Sequence, residues 1–293
     1  MPYKISDGIT QSILTTFMAC PQKAMYMLDG IYDPTKGENY RKGTIGHDLL
    51  ENLYENPSKD WTKNLDALYD KHAKEVKETE KLNTIFGIFE ALITCYLEFY
   101  KKDFNSKIIY TPEQIFDLDY KGYRLRGKTD LTFKAGKLNV LMEHKFWSQI
   151  SEDKLAYVLS MDFQSNFYEL MYKMQTGKYP DRIDYNVVRV PQNKIKDDES
   201  SKQFAVRLID IIRKDYKYYF RRVPVVPSQK QRYAFELSLN TILANFKSMV
   251  EGSNRYQNYT SCYPGIFLCD FAAICVSGSK AGFKTKPLFS ELK

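Results

Sequence analysis

Two short stretches decide the fold: Arg126-Gly-Lys-Thr-Asp130, followed on the next predicted strand by Leu141-Met-Glu143-His-Lys145. Their flanking residues are apolar or aromatic, which is typical of buried strands. Because side chains alternate across a strand, Glu143 and Lys145 lie on one face. Two carboxylates and a lysine on such strands are costly to bury unless they are paired or bind a cation.

The residue types favour a hard divalent cation. Carboxylate oxygens of Asp130 and Glu143 suit Mg²⁺ or Mn²⁺, with water and phosphate oxygens in the remaining positions. The His144 side chain points to the opposite face, but its backbone carbonyl is available as a further oxygen ligand. Lys145 can orient or help deprotonate an attacking water and stabilise developing negative charge. The alternative is an ordinary ion pair on a solvated sheet face, and so short a pattern leaves it open.

Outward from these stretches, the periodicity predicts an α/β chain with a mixed sheet. Three consecutive strands are followed by a helical crossover and a fourth strand, and further helices flank this unit. The predicted strands are 113–120, 123–133, 138–146 and 183–190, with tight turns at Tyr120–Tyr123 and Lys134–Lys137 and a polar loop over 191–203. The predicted helices are 9–28 (cap Ser12, interrupted at Cys20-Pro21), Gly43–Tyr54 (cap Thr44), 61–105, 154–176 (closed by Gly177), 203–221 and 228–250.

Length and composition are compatible with one large globular unit. The chain has 293 residues, 43% hydrophobic and 27% charged, with a formal net charge of +7 that permits a polyanionic partner. We interpret residues 1–293 as a single domain. Its core covers about 40–57 and 110–190, a helical insertion covers about 61–105, and a helical C-terminal region with a cysteine-rich tail covers about 203–280.

Four motifs occur in a fixed order: Gly43-x-x-x-His47-x-x-x-Glu51, Gly127-x-x-Asp130, Glu143-His-Lys145 and Gln164-x-x-x-Tyr168. In this order they resemble the PD-(D/E)XK nuclease superfamily, and specifically its RecB-like branch, over about residues 10–275. The resemblance implies a restriction-endonuclease-like fold, in which helices flank a mixed central sheet, and metal-dependent cleavage of DNA. Thr129 stands where the family pattern has proline, a departure that the RecB-like branch tolerates.

The resemblance also implies roles for individual residues. Alternatives from the residues themselves are a surface or core histidine for His47 and helix packing for the residues of the fourth motif. Arg41, Lys42, Arg126 and Lys128 flank the motifs and could hold phosphates, although a solvated face explains them nearly as well. The implied assignments are Asp130, Glu143, Lys145, Gln164 and Tyr168 as catalytic or positioning residues, His47, Asp130, Glu143 and His144 as metal ligands, and Glu51 and Glu113 as supporting residues.

Four of the five cysteines form a second pattern. Cys20 is near the N-terminus, and Cys262, Cys269 and Cys275 follow as C-x₆-C-x₅-C, whereas Cys95 lies in an apolar helical stripe. The arrangement resembles the iron–sulfur members of the RecB-like branch, which include CRISPR-adaptation nucleases and phage proteins. That resemblance implies a [4Fe–4S] cluster held by four thiolates. Zinc and free buried thiols are the alternatives, but structural zinc usually uses shorter cysteine spacings.

The sequence thus predicts a Mg²⁺- or Mn²⁺-dependent deoxyribonuclease, an exonuclease acting on DNA ends or single strands. The alternative is a DNA-end-binding or adaptor subunit. Such a subunit would act only with a single-strand-annealing protein in a recombination complex, or within a CRISPR-adaptation complex.

Location is predicted from the absence of export signals. The N-terminus has no apolar signal region, and Glu90 and Glu98 interrupt the most apolar stretch, 85–100. An odd cysteine count argues against a secreted disulfide framework. We therefore expect a cytoplasmic protein of a prokaryotic or virus-infected prokaryotic cell, without a membrane partner.

Overall fold

The computed structural model describes residues 3–34, 38–57, 60–74, 79–104, 108–253, 255–263, 265 and 268–289, without the side chains of 38–41 and 79. The phosphate contact predicted for Arg41 therefore lies outside the described residues. The helices are α1 (Gln11–Ala19), α2 (Pro21–Leu28), α3 (Glu38–Glu55), α4 (Trp61–Ala73), α5 (Thr79–Phe99), α6 (Lys101–Phe104), α7 (Leu155–Ser160), α8 (Phe163–Thr176), α9 (Ser201–Lys214), α10 (Tyr216–Tyr219), α11 (Gln229–Val250) and α12 (Ala272–Ser277). The strands are β1 (Ile31–Tyr32), β2 (Tyr110–Pro112), β3 (Ile115–Tyr120), β4 (Tyr123–Lys128), β5 (Leu131–Ala135), β6 (Leu138–Trp147), β7 (Arg182–Arg189), β8 (Phe220–Val225) and β9 (Lys284–Thr285).

A mixed five-stranded sheet lies at the centre, with strand order β2-β5-β6-β7-β8. β6 and β7 are parallel, and the other neighbours are antiparallel. Six consecutive residues of β6 are buried, as expected for a central strand with both faces covered. β3 and β4 form a separate hairpin beside this sheet.

Helices cover both faces of the sheet, and the alternation along β6 shows how. Leu141 belongs to one buried cluster, with residues of α1, α8 and α11. Its neighbour Met142 belongs to a second buried cluster, with residues of α3, α5 and α9. This arrangement of helices around a mixed sheet confirms the predicted restriction-endonuclease-like α/β fold class.

The predicted strand 123–133 is in fact two strands in different sheets. β4 ends at Lys128 and β5 begins at Leu131, which leaves Thr129 and Asp130 in the gap. Backbone hydrogen bonds hold the gap, because Thr129 N–H donates to Gln114 and Glu113 N–H donates to Asp130. Asp130 thus sits at a break between strands, where its side chain is not committed to a sheet face.

Several helix boundaries also differ from the prediction. The predicted helix 154–176 is interrupted at Met161 and Asp162, between α7 and α8. The predicted helix 203–221 stops at Lys214, where the short helix α10 and then the strand β8 follow. Thr10, not Ser12, caps α1 by accepting the Ile13 N–H, and Thr44 lies inside α3.

One helix, over Glu80–Phe99 of α5, is long and apolar enough to cross a membrane by composition alone. Most of it is buried inside the protein, 61% of its most apolar window. The ring of Phe89 contacts Phe146 on the central strand. These contacts are typical of a core helix.

Candidate active site

Asp130 is held between β4 and β5 by two donors. His47 Nδ1 from α3 lies 3.1 Å from Asp130 Oδ1, and the His144 backbone N–H donates to Oδ2 over 2.7 Å. Burial raises the pKa of Asp130, but His47 and this N–H outweigh it and hold the pKa below its usual range. Burial lowers the pKa of His47, and the Asp130 carboxylate more than offsets it, so that pKa is raised. Because a metal binds neutral imidazole, a cation here would have to displace the imidazole proton.

Glu143 is the most unusual polar residue of the site. It is fully buried on β6, and its Oε1 atom has no hydrogen-bond partner in the part of the chain that the structure describes. Burial and the nearby Asp130 charge raise its pKa well above the usual range, although Lys145 acts in the opposite direction. A buried carboxylate oxygen without a donor, beside a second carboxylate, is the kind of position that a cation would satisfy.

Lys145 lies on the same face of β6, within hydrogen-bond reach of two side chains around the start of α8. Its Nζ atom donates to Gln164 Oε1 over 2.8 Å and forms an ion pair with Asp162 Oδ2 at 3.2 Å. Gln164 Nε2 in turn donates to Glu143 Oε2 over 3.1 Å. Burial lowers the pKa of Lys145, but the Glu143 and Asp162 charges outweigh it and raise that pKa. Lys145 is therefore held as a cation, suited to donating hydrogen bonds.

Asp162 is a site residue that no sequence motif predicted. The predicted helix 154–176 places it in a helix interior, whereas Asp162 occupies the N-cap position of α8. Its carboxylate also accepts from Ser165 Oγ over 2.9 Å. The signal in the sequence was the aspartate itself, two residues before Gln164, because aspartate is a preferred residue at the start of a helix.

Tyr168 packs beneath the site and explains one motif glycine. A Cβ atom on Gly127 would lie 2.6 Å from the Tyr168 ring, so only glycine fits there. Burial, followed by the Glu143 and Asp130 charges, raises the pKa of the Tyr168 hydroxyl, which stays protonated. The structure thus brings Tyr168 and Gln164 to the same face as the two carboxylates, and their roles in chemistry stay predictions.

The two predicted supporting carboxylates lie beside the site. Glu113, whose backbone has a φ of +50°, forms an ion pair with Lys128. Burial, and then the charge and hydrogen bond of Glu113, raise the pKa of Glu51 to about 7. Glu51 therefore keeps its proton up to about pH 7.

The His144 side chain lies on the opposite face of β6. It is buried, its Nδ1 atom is 2.8 Å from Asn186 Nδ2, and it stacks on Tyr54. Burial lowers its pKa to about 3, so the ring is neutral. The side chain therefore does not enter the site, and the expected ligand role of its backbone carbonyl stays a prediction.

The four motif cysteines lie close enough to interact electrostatically. Burial raises the pKa of the Cys275 thiol. The nearby thiols of Cys269, Cys20 and Cys262 raise it further. Two amide groups also point at sulfur: the Asn258 backbone N–H donates to Cys20 Sγ over 3.3 Å, and Gln257 Nε2 to Cys262 Sγ over 3.5 Å. Cys95 is buried elsewhere, in the cluster around α5.

Among the residues that the structure describes, no three His, Cys, Asp or Glu side chains already surround one point as metal ligands. At the active site the reason is local, because His47 and Asp130 bond to each other and Glu143 Oε2 bonds to Gln164. The unpartnered Glu143 Oε1 still fits a divalent cation that would rearrange these hydrogen bonds.

Comparisons with known proteins agree with this geometry. The PD-(D/E)XK nuclease superfamily matches residues 9–276. A solved structure described as a "Putative exonuclease" from Eubacterium rectale is similar, with a TM-score of 0.56 and 11% identity, covering 94% of this chain and 96% of that chain. A second solved structure, SSO0001, has a TM-score of 0.33 and 12% identity, over 80% of this chain and 84% of that one. The comparison with curated proteins gave no match.

The family match covers all four motifs, and the solved structure with a TM-score of 0.56, at 11% identity, supports the fold alone. The motif residues meet at the end of the parallel pair β6–β7, on a sheet of the expected class. The chain belongs to the PD-(D/E)XK nuclease superfamily.

Proposed function

We propose that this protein is a divalent-metal-dependent deoxyribonuclease that acts as an exonuclease on DNA ends or single strands. The observation that carries the proposal is the buried Glu143 carboxylate, whose Oε1 lacks a donor although a second carboxylate, Asp130, lies beside it. Among the residues that the structure describes, nothing donates to this oxygen, and a divalent cation between the two carboxylates would satisfy it.

His47, Asp130 and Glu143 would hold the metal, Mg²⁺ or Mn²⁺. A bound divalent ion lowers the pKa of a coordinated water and neutralises a phosphate. Lys145, which the neighbouring carboxylates keep protonated, would donate a hydrogen bond to a phosphate oxygen or to the attacking water. Gln164 fixes the Lys145 ammonium and the Glu143 carboxylate relative to each other.

The reaction proposed is hydrolysis of one phosphodiester bond. A water oxygen attacks phosphorus, and the bond from phosphorus to the 3′ oxygen breaks. The water loses a proton, the leaving oxygen gains one, and the products are a 5′-phosphate and a 3′-hydroxyl. That polarity of cleavage is what the superfamily implies.

The test is a cleavage assay on linear and circular DNA, single- and double-stranded, labelled at either end, with Mg²⁺, Mn²⁺ or EDTA. Asp130→Asn and Lys145→Met are compared with the wild type, and Lys137→Met in the exposed β5–β6 turn is the matched control. We expect metal-dependent loss of label from linear DNA that Asp130→Asn abolishes, Lys145→Met slows by about 10²-fold and the control retains. Binding without cleavage by the wild type would overturn the proposal in favour of a DNA-end-binding or adaptor subunit.

We also propose that Cys20, Cys262, Cys269 and Cys275 bind a [4Fe–4S] cluster with a structural role. Support comes from the backbone hydrogen bond between Cys269 and Cys262, from the nearness of the other three thiols to Cys275, and from the amide groups directed at two of the sulfurs. Anaerobically purified protein should contain about four irons and absorb broadly in the visible range. Cys262→Ser should remove both signals, whereas Cys95→Ser should keep them. Zinc at about one per chain, with no iron, would overturn the cluster.

A further inference from the structure

A groove with lysine and apolar side chains in its walls leads away from the active site along the end of β6. Two adjoining cavities of about 480 and 420 Å³ form it, and Lys42 and Gln192 line both of them. Phe146 and Trp147, which directly follow Lys145, line the first cavity. The Phe146 ring lies 5.5 Å from the His47 ring, so the groove begins beside a proposed metal ligand.

The charge of the groove is mainly positive. Lys42, Lys81 and Lys194 line it against one acidic residue, Glu80. The ammonium groups of Lys42 and Lys194 make no hydrogen bond or ion pair with any residue that the structure describes. Two such cations on opposite walls of one groove suit an anionic ligand.

The walls of the groove are fixed by the fold. Gln192 Nε2 donates to the Val190 carbonyl over 3.0 Å, and Arg207 donates to the Lys194 carbonyl over 3.0 Å. On the other wall, Lys42 lies five residues before His47 on α3, which separates them by about 7.5 Å along the helix axis. The wall that carries Lys42 therefore belongs to the same helix as the proposed metal ligand His47.

We infer that this groove binds single-stranded DNA that extends from the active site, an inference that rests on the proposed function. Lys42 and Lys194 would contact successive phosphates, and Phe146 and Trp147 offer aromatic surface for bases, the usual combination for unpaired strands. Each cavity has the volume of a small-ligand pocket, roughly 300–1,000 Å³, which suits nucleotides of one strand and not a duplex.

The experiment measures binding of labelled single-stranded DNA of about 12 nucleotides, of about three nucleotides, and of a blunt duplex, in EDTA over a salt series. The test variant is Lys42→Glu with Lys194→Glu. The matched control is Lys134→Glu with Lys137→Glu, which changes charge equally at the other end of β6. Lys137 lies about 30 Å from Phe146 at the usual strand rise.

We expect the test variant to bind the longer single strand about tenfold more weakly and to lower the salt slope by about 1.4, at roughly 0.7 per single-strand phosphate contact. The control variant and the shortest strand should be unaffected. Equal binding by wild type and test variant, or an equal loss in the control, would show that the groove does not bind single-stranded DNA. A loss confined to the duplex would assign it to double-stranded DNA instead.

The proposed function is judged separately, by metal-dependent cleavage of DNA by the wild type. Cleavage together with unchanged binding by the test variant would reject only the groove. Absence of both cleavage and DNA binding in the wild type would reject both proposals.

Discussion

The two faces of β6 carry polar side chains in opposite states. On one face, Glu143 is buried with an oxygen that has no donor, next to a cationic Lys145. On the other face, His144 is equally buried, but its ring is neutral, held by Asn186 and stacked on Tyr54. Neighbouring residues of one strand thus differ, because Glu143 keeps a buried carboxylate oxygen without a donor among the described residues and the neutral His144 ring has a side-chain partner.

The difference indicates a chemical role for Glu143 and a structural role for the His144 side chain. A buried polar group that completes its hydrogen bonds stabilises one conformation. A buried charged group that does not complete them is destabilising, and such groups are typical of sites that bind a cation or substrate. His144 joins the two roles, because its side chain is fixed on one face while its backbone N–H holds Asp130 at the site.

We call the face of β6 with Glu143 and Lys145 the open face, and the face with His144 the closed face. The largest expected effect comes from removing the Glu143 charge on the open face with Glu143→Gln. We expect the cleavage rate to fall by about 10³-fold, or about 4 kcal/mol of transition-state stabilisation, because a metal-ligand charge is lost. The free energy of unfolding should stay the same or increase, because an amide replaces a buried carboxylate. Cleavage rates and urea unfolding in parallel measure the two quantities.

The matched control for Glu143→Gln is Glu251→Gln, at an exposed carboxylate that ends α11. It should change neither quantity. If Glu143→Gln keeps more than about a tenth of the wild-type rate, then Glu143 does not carry metal-dependent chemistry.

Lys145→Met tests the cation on the same face, with a smaller expected loss of about 10²-fold in cleavage. Asp162→Asn should cost less, about tenfold, because Gln164 still accepts a hydrogen bond from Lys145. Both rates are measured at saturating Mg²⁺. An Asp162→Asn effect as large as that of Lys145→Met would show that Asp162 does more than position the lysine.

Part of this site could be predicted from sequence because its motifs are local. The pair Glu143 and Lys145 follows from alternation along a single strand, and the motif order identified the fold. Asp162 was missed because apolar periodicity continues across it, and only the tertiary contact with Lys145 reveals the helix break. The single-domain boundaries and the cluster ligands stay predictions.

The missed strand β8 has a different cause. Pro224 lies within β8, and proline cannot donate to a sheet ladder, so the local sequence does not favour a strand there. β8 is, however, the edge strand next to β7, where proline is tolerated. Whether a strand lies at an edge depends on the whole sheet order, which no local pattern in the sequence contains.

A substitution on the closed face of β6 should change the free energy of unfolding and leave the cleavage rate nearly unchanged. Asn186→Ala removes the partner of the His144 ring and should lower the free energy of unfolding by about 1–3 kcal/mol, the cost of an unsatisfied buried polar group. Cleavage per folded molecule should change less than about twofold, below 0.5 kcal/mol. A much larger loss of cleavage without a loss of stability would mean that the two faces are not separate.

The smallest expected change in stability concerns Glu51. Its carboxyl is only partly buried, so its environment lies between those of Glu143 and an exposed residue. The pKa of Glu51 is raised to about 7 in the folded protein from an ordinary 4.5. Between these values the folded state keeps a proton that the unfolded state has lost, so the free energy of unfolding falls as pH rises from 4.5 to about 7. Discounted for solvent exposure, the total change is roughly 1.5 kcal/mol.

Glu51→Gln removes this titration and should flatten the dependence. In EDTA the variant should match the wild type near pH 4 and exceed it by roughly 1.5 kcal/mol at pH 8, because Glu113 then faces an amide and not a second carboxylate. Urea unfolding at both pH values measures the difference, with the exposed Glu251→Gln again as the control. A variant less stable than the wild type at pH 8 would mean that the Glu51 carboxylate is satisfied by its neighbours, chiefly Lys128, and belongs with the closed face of β6 and not with the open one.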